Sequence, residues 1–261
     1  MNPTERVRIR TREADSEMER EDDLAVEEPL EIRVRAESNA AATSFVTTMR
    51  TPGADEDLAT GLLYAEGVLQ ERADLLSLTR PADPRIDPDL RANVLIATLA
   101  PEAFERAGKL QRGTVMGSAC GVCGKTSIEN VIPADRPPLA SSLRVPPTYL
   151  YGLPERLRER QSIFSKTGGL HAAALFEIDG SIRRIAEDIG RHNATDKLVG
   201  ASLLSEELPL SNTVLLVSGR AGFEIVQKAY AAGIPIVASV SAPSSLAVEL
   251  AQTAGLTLVG F

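Results

Sequence analysis

From Leu170 to Phe261 the sequence alternates strand-length apolar runs with helical patterns, and no other feature limits its possible folds so strongly. "LHAAALFEI" and "SIRRIAEDI", separated by "DGS", predict a β-hairpin. Then "RHNATDKLVGASLLSE" predicts a helix, "TVLLV" a strand, "AGFEIVQKAYAAG" a helix, "IPIVASV" a strand, "SSLAVELAQTAG" a helix and "LTLVGF" a last strand. Glycine just beyond two of these helices suits a left-handed C-cap. Strands joined through helices by short connections pair in parallel, so a layered α/β domain is expected over 146–261.

The preceding half is less regular. "PLEIRVRA", "TSFVTTMR" and "NVLIATL" read as strands and "DEDLATGLLYAEGVLQ" as an amphipathic helix, giving a smaller α+β domain over 29–112. Residues 113–145 combine both cysteines with "PADRPPLASSLRVPP", whose prolines break helices and central strands, so they form a loop and linker. "PERLRERQSIF" follows as a helix. Residues 1–28 hold ten acids and five arginines, which place -5 of the -8 net charge in a segment expected to be a disordered acidic tail. No basic face is present, which argues against DNA or RNA as a partner. No apolar run approaches the ~20 residues of a membrane-spanning helix, and no secretory leader is seen, so the chain is expected in the cytoplasm.

In parallel sheets ligands collect at the carboxyl ends of strands. Three small-residue loops fall there, "EDIGRHNATDK", "SGRAG" and "SVSAPSS", and each feeds a helix N-terminus that favours anions. Arg191, Lys197 and Arg220 would add bidentate or point-charge contacts to phosphate, while Ser218, Ser241 and Ser244 serve equally well as helix caps. The two histidines are His171, beside Gly168 and Gly169, and His192, at a helix start. Asp188, Asp196 and Glu187 could orient an imidazole or complement a helix dipole.

The two cysteines, Cys120 and Cys123, stand in "GSACGVCGK". In a reducing compartment such a pair serves catalysis, redox exchange or metal binding rather than stapling. Structural zinc needs four ligands, and the zinc deaminase order, His-x-Glu before Pro-Cys-x-x-Cys, is absent, so no metal is expected. A thioredoxin-like pair would follow an early strand and open a helix, which "GVCGKTS" does not suggest. "CGKTS" ends like a phosphate-binding P-loop, but the first glycine that motif needs is replaced by Ala119. The remaining reading is a thiolate, favoured by Lys125, that carries sulfur as a persulfide on a glycine-rich segment. Spacing alone does not separate this carrier from a dithiol oxidoreductase, nor either from a cofactor-binding chaperone.

Taken in order, "EEPLEIRV", "MRTPGADEDLATGLLYAEGV", "GSACGVCGKTS", "FSKTGGLHAAALF", "EDIGRHNATDKLVG", "SGRAGFEIVQKA" and "GIPIVASVSAPSSLAVELA" resemble the formate dehydrogenase accessory sulfurtransferases, the FdhD family. The resemblance runs from about residue 27 to the end. It implies a sulfurtransferase that takes persulfide sulfur from a cysteine desulfurase and passes it to the molybdenum bis-guanine-dinucleotide cofactor of formate dehydrogenase. It also implies a homodimer and a C-terminal three-layer α/β domain similar to the cytidine deaminase-like fold, without zinc. The resemblance implies that the persulfide forms on Cys120, with Cys123 assisting. The cofactor, mimicked by guanosine diphosphate, would fall to Gly168, Gly169, His171, Asp188, Arg191, His192, Asn193, Lys197, Ser218, Gly219, Arg220, Ser241 and Phe261. Family members usually carry a short basic tail beyond the position of Phe261, where this sequence ends.

Overall fold

The computed structural model describes residues 2–13, 16–37, 41–111 and 137–261. β1 (Thr4–Glu13) and β2 (Ser16–Ala25) form an antiparallel hairpin where charge count alone predicts a disordered tail. The register explains the difference: Arg6, Arg8, Arg10 and Arg12 stand opposite Asp23, Glu21, Glu19 and Glu17, so charges that argue against a core pair across the ladder. Arg6 meets Asp23 at 3.3 Å and Arg10 meets Glu19 at 3.4 Å.

β3 (Glu28–Ala36) buries Leu30, Ile32 and Val34 by strict alternation, the signature of a strand with one core face. It joins β4 (Thr43–Arg50), β5 (Leu75–Thr79) and β6 (Val94–Leu99) in a sheet of order β4-β3-β6-β5, with β3 and β6 parallel. α1 (Asp55–Ala65) packs Leu58, Ala59 and Leu63 on this sheet. α2 (Pro88–Ala92) is a short capped turn, and α3 (Pro101–Gln111) buries Ala103 and Ala107 in the same core. The sequence pattern misses α3 because its most buried side chains are alanines, too small to mark an apolar stripe.

The second layer system begins with α4 (Pro147–Tyr151), α5 (Leu153–Arg160) and α6 (Phe164–Thr167). β7 (His171–Phe176) and β8 (Ile182–Asp188) form the expected hairpin. α7 (Arg191–Leu204), β9 (Val214–Val217), α8 (Phe223–Ala231), β10 (Ile236–Ser239), α9 (Ser245–Thr253) and β11 (Thr257–Gly260) then alternate as expected. The sheet order is β11-β10-β9-β7-β8, parallel from β9 to β11 and antiparallel at β7. Ala173, Leu175, Leu215, Val217 and Val237 pack under α7, α8 and α9, while Ala172, Ala174, Phe176, Leu216 and Ala238 meet Leu153 and Leu157 of α5. Helices therefore cover both faces, the three-layer arrangement that the alternation requires. Gly233 and Gly255, at φ +75 and +66, end the α8 and α9 segments as left-handed caps.

α7 is buried on nearly every side because it lies between this sheet and α1. Two glycines allow the approach: a Cβ on Gly61 would lie 1.9 Å from the Asp196 carbonyl oxygen, and one on Gly200 1.9 Å from that of Asp57.

Candidate functional site

β9, β10 and β11 run parallel and β7 and β8 reverse in turn, so one end of the sheet gathers the carboxyl ends of four strands and the start of β7. Phe261, Ser241, Ser218, His171 and Asp188 fall along that end. Gly168, Gly169, His171 and Ser218 line one cleft there, of about 480 Å³, together with Arg158, Gln161, Phe164 and Ile189.

Local chemistry builds the cleft wall. Glu187 accepts the Ile163 and Phe164 N–H groups at 2.9 and 3.0 Å and so fixes the start of α6. Gly168 closes α6 at φ +66, a conformation that costs other residues energy. The Arg158 guanidinium lies 4.1 Å from the centroid of the Phe164 ring. Ser218 extends the β7 ladder, since its N–H donates to the Ala172 carbonyl and its hydroxyl accepts from the Ala172 N–H, each at 2.9 Å. At Gly219 a Cβ would stand 3.2 Å from the His171 ring and 3.6 Å from Arg191 Cδ, so glycine lets three strand-end residues crowd together. Burial first, then the Arg191 and His192 charges, push the His171 pKa below its ordinary value against the pull of Asp188, which keeps the imidazole neutral at pH 7.

Arg191 and His192 are the first two residues of α7, a helix with no side-chain cap at its N-terminus. Arg191 Nε and His192 Nε2 are buried with no hydrogen-bond partner among the described residues. His192 Nε2 lies 3.3 Å from Glu224 Oε2, an ion-pair distance without hydrogen-bond alignment. Arg220 is exposed. The Ser239 hydroxyl donates to the Ser241 carbonyl, and the Phe261 N–H donates to the Ser239 carbonyl at 3.1 Å. The Arg191 guanidinium, whose Nε has no hydrogen-bond partner among the described residues, an open helix N-terminus and a long strand-end row fit an extended, phosphate-bearing ligand.

Asp188, Asn193 and Lys197 do not join that surface. Asp188 is fully buried and accepts the Thr51 and Gly190 N–H groups, Asn193 Nδ2 at 2.9 Å and Lys197 Nζ at 2.7 Å. Lys197 gives its other donors to the Thr51 and Glu187 carbonyls, at 2.9 and 3.3 Å, and Asn193 Nδ2 also reaches the Met49 carbonyl at 2.7 Å. These residues fasten the strand-end loop to the segment after β4. Sequence position next to a helix start suggests anion contact, but the neighbouring unit takes up their polar groups instead.

Sequence reasoning passed over Arg158, Gln161 and Phe164, because "RERQSIF" reads only as the end of a helix. Cys120, Cys123 and Lys125 lie outside the described residues. Among the described residues no helix is long and apolar enough to cross a membrane.

Comparison with known proteins gives a consistent result. A family model described as the FdhD/NarQ family matches residues 25–261. "Sulfur carrier protein FdhD" of Streptomyces coelicolor is 51% identical over 93% of this chain and 84% of its own length. Proteins of the same name are 46% identical in Mycobacterium tuberculosis, over 97% of this chain and 91% of theirs, and 42% identical in Saccharolobus solfataricus, over 95% and 88%. A crystal structure from Desulfotalea psychrophila, described as a formate dehydrogenase accessory protein, superposes with a TM-score of 0.71 at 20% identity, covering 99% of this chain and 92% of that one.

Proposed function

Because the chain belongs to the FdhD/NarQ family, we propose that it is a sulfur carrier acting for formate dehydrogenase, with Cys120 as the atom-bearing residue. The observation that carries this reading is near-full-length identity of up to 51% to proteins named as sulfur carriers, around a lone Cys-x-x-Cys.

In this reading the Cys120 thiolate attacks the terminal sulfur of a persulfide on a cysteine desulfurase. The donor's S–S bond breaks, the donor leaves as a thiolate, and Cys120 now holds the persulfide. The acceptor substrate is the molybdenum bis-guanine-dinucleotide cofactor destined for formate dehydrogenase. The strand-end row suits such a molecule: Arg191 and Arg220 offer cations and His192 a ring nitrogen to its phosphates, and the cleft beside His171 offers a half-apolar recess to a heterocycle. Cys123 assists by attacking the inner sulfur of the persulfide, which forms a Cys120–Cys123 disulfide and releases the outer sulfur as hydrosulfide.

Complementation tests the assignment. Cells lacking their own counterpart regain formate dehydrogenase activity when given this chain and not when given Cys120→Ala. Full rescue by Cys120→Ala would replace the carrier with a chaperone.

A further inference from the structure

Gln161 ends α5 and lines the cleft beside Phe164, Gly168, Gly169 and His171, with only 5% of its surface exposed. Its backbone groups are satisfied: the N–H donates to the Arg158 carbonyl at 3.3 Å, and the carbonyl accepts from the Ser165 N–H at 3.0 Å. Its carboxamide makes no hydrogen bond with any described residue, and its polar atoms are not among those sealed inside the protein. Nearly all side chains this deeply placed find a partner, so an amide left open at a cleft marks where one arrives.

We propose that Gln161 reads the edge of a nucleobase entering this cleft, an inference that rests on the guanine-dinucleotide acceptor proposed above. A carboxamide sets an acceptor beside a donor, and so matches a planar group whose edge offers the reverse pair, as guanine does with N1–H and O6. The neighbouring wall suits the base plane. Phe164, backed by the Arg158 guanidinium, supplies a π surface for stacking, and Gly168 and Gly169 place no side chain between it and His171. Glu187 is the positioning residue of this wall, because its carboxylate holds the Ile163 and Phe164 N–H groups. Phosphates attached to a base in the cleft extend towards His171 and Arg191, which crowd around Gly219.

Calorimetric titration of the full chain with guanosine diphosphate and with pyrophosphate, for the wild type, Gln161→Leu and Gln161→Glu, tests the assignment. Gln161→Leu weakens guanosine diphosphate about tenfold to a hundredfold, the cost of an unpaired buried polar group, and leaves pyrophosphate affinity unchanged. Gln161→Glu keeps the shape but sets an oxygen against O6, and weakens the nucleotide at least as much. It carries the test if the leucine variant does not fold. Unchanged nucleotide affinity in a folded variant overturns the role of Gln161 while leaving the guanine-dinucleotide acceptor standing. Absence of nucleotide binding by the wild type overturns the guanine-dinucleotide acceptor and the inference with it, and leaves sulfur carriage on Cys120 to its own test.

Discussion

The contact between α1 and α7 makes a quantitative prediction, since it joins the two sheets through backbone rather than through adaptable side chains. In Gly61→Ala the new Cβ would sit 1.9 Å from the Asp196 carbonyl oxygen, 2.6 Å from its carbon and 2.9 Å from Asp196 Cα. An ordinary carbon–oxygen contact is ~3.3 Å, so the helices must part by roughly 1.4 Å. No rotamer relieves this, because the obstacle is main chain. A radial gap of that size forfeits about half or more of the dispersion energy between facing atoms, and overpacking of this kind costs about 1–3 kcal/mol or more. With a backbone obstacle 1.9 Å away the cost falls at the upper end, ~3 kcal/mol, and alanine returns ~1 kcal/mol of helix propensity, which leaves a net loss of about 2 kcal/mol. Gly108→Ala is the internal control: it lies inside α3 with nothing among the described residues within 4 Å of its Cβ, so the same substitution gains ~1 kcal/mol there. Urea unfolding followed by circular dichroism reads both, as a lower midpoint for Gly61→Ala and a higher one for Gly108→Ala. Equal midpoints for the two variants would refute the packing argument.

Two further predictions concern buried charge. Lys197→Met removes the cation 2.7 Å from Asp188 and leaves a fully buried carboxylate short of a partner, so unfolding free energy drops by about 3–5 kcal/mol; a loss below ~1 kcal/mol would show that Thr51, Gly190 and Asn193 suffice. His171 has a folded pKa depressed below 6.5, so its contribution to stability is complete above that pH and is lost as pH falls through the lower, folded value. Wild-type unfolding free energy measured from pH 7 to pH 5 therefore declines more steeply than that of His171→Gln, and parallel curves would contradict the burial of this imidazole.

How much of this was readable from residues alone depends on the kind of signal. The second sheet was legible because each strand and helix advertises itself through period and punctuation: "TVLLV" and "IPIVASV" have strand length, and Gly233 and Gly255 mark the helix ends. The β1–β2 hairpin was not, since composition registers the charge of Arg6 to Arg12 but not the register that sets acids opposite them. At the site, Gly168, Gly169, His171 and Ser218 fell together in the cleft because strand-end position is a topological property that alternation reveals. Asp188, Asn193 and Lys197 misled because their partners, Met49 and Thr51, are about 140 residues away and no local pattern announces such contacts. Gln161 was missed for the opposite reason: what distinguishes it is the lack of a partner among the described residues, and only coordinates show that.

The central claim, sulfur carriage on Cys120, is tested most directly by intact-protein mass spectrometry under non-reducing conditions after incubation with a cysteine desulfurase and cysteine. The wild type and Cys123→Ala gain the mass of one sulfur atom, thiol reverses the gain, and Cys120→Ala shows none. A wild type that never gains sulfur, or a gain that persists in Cys120→Ala, would contradict the account.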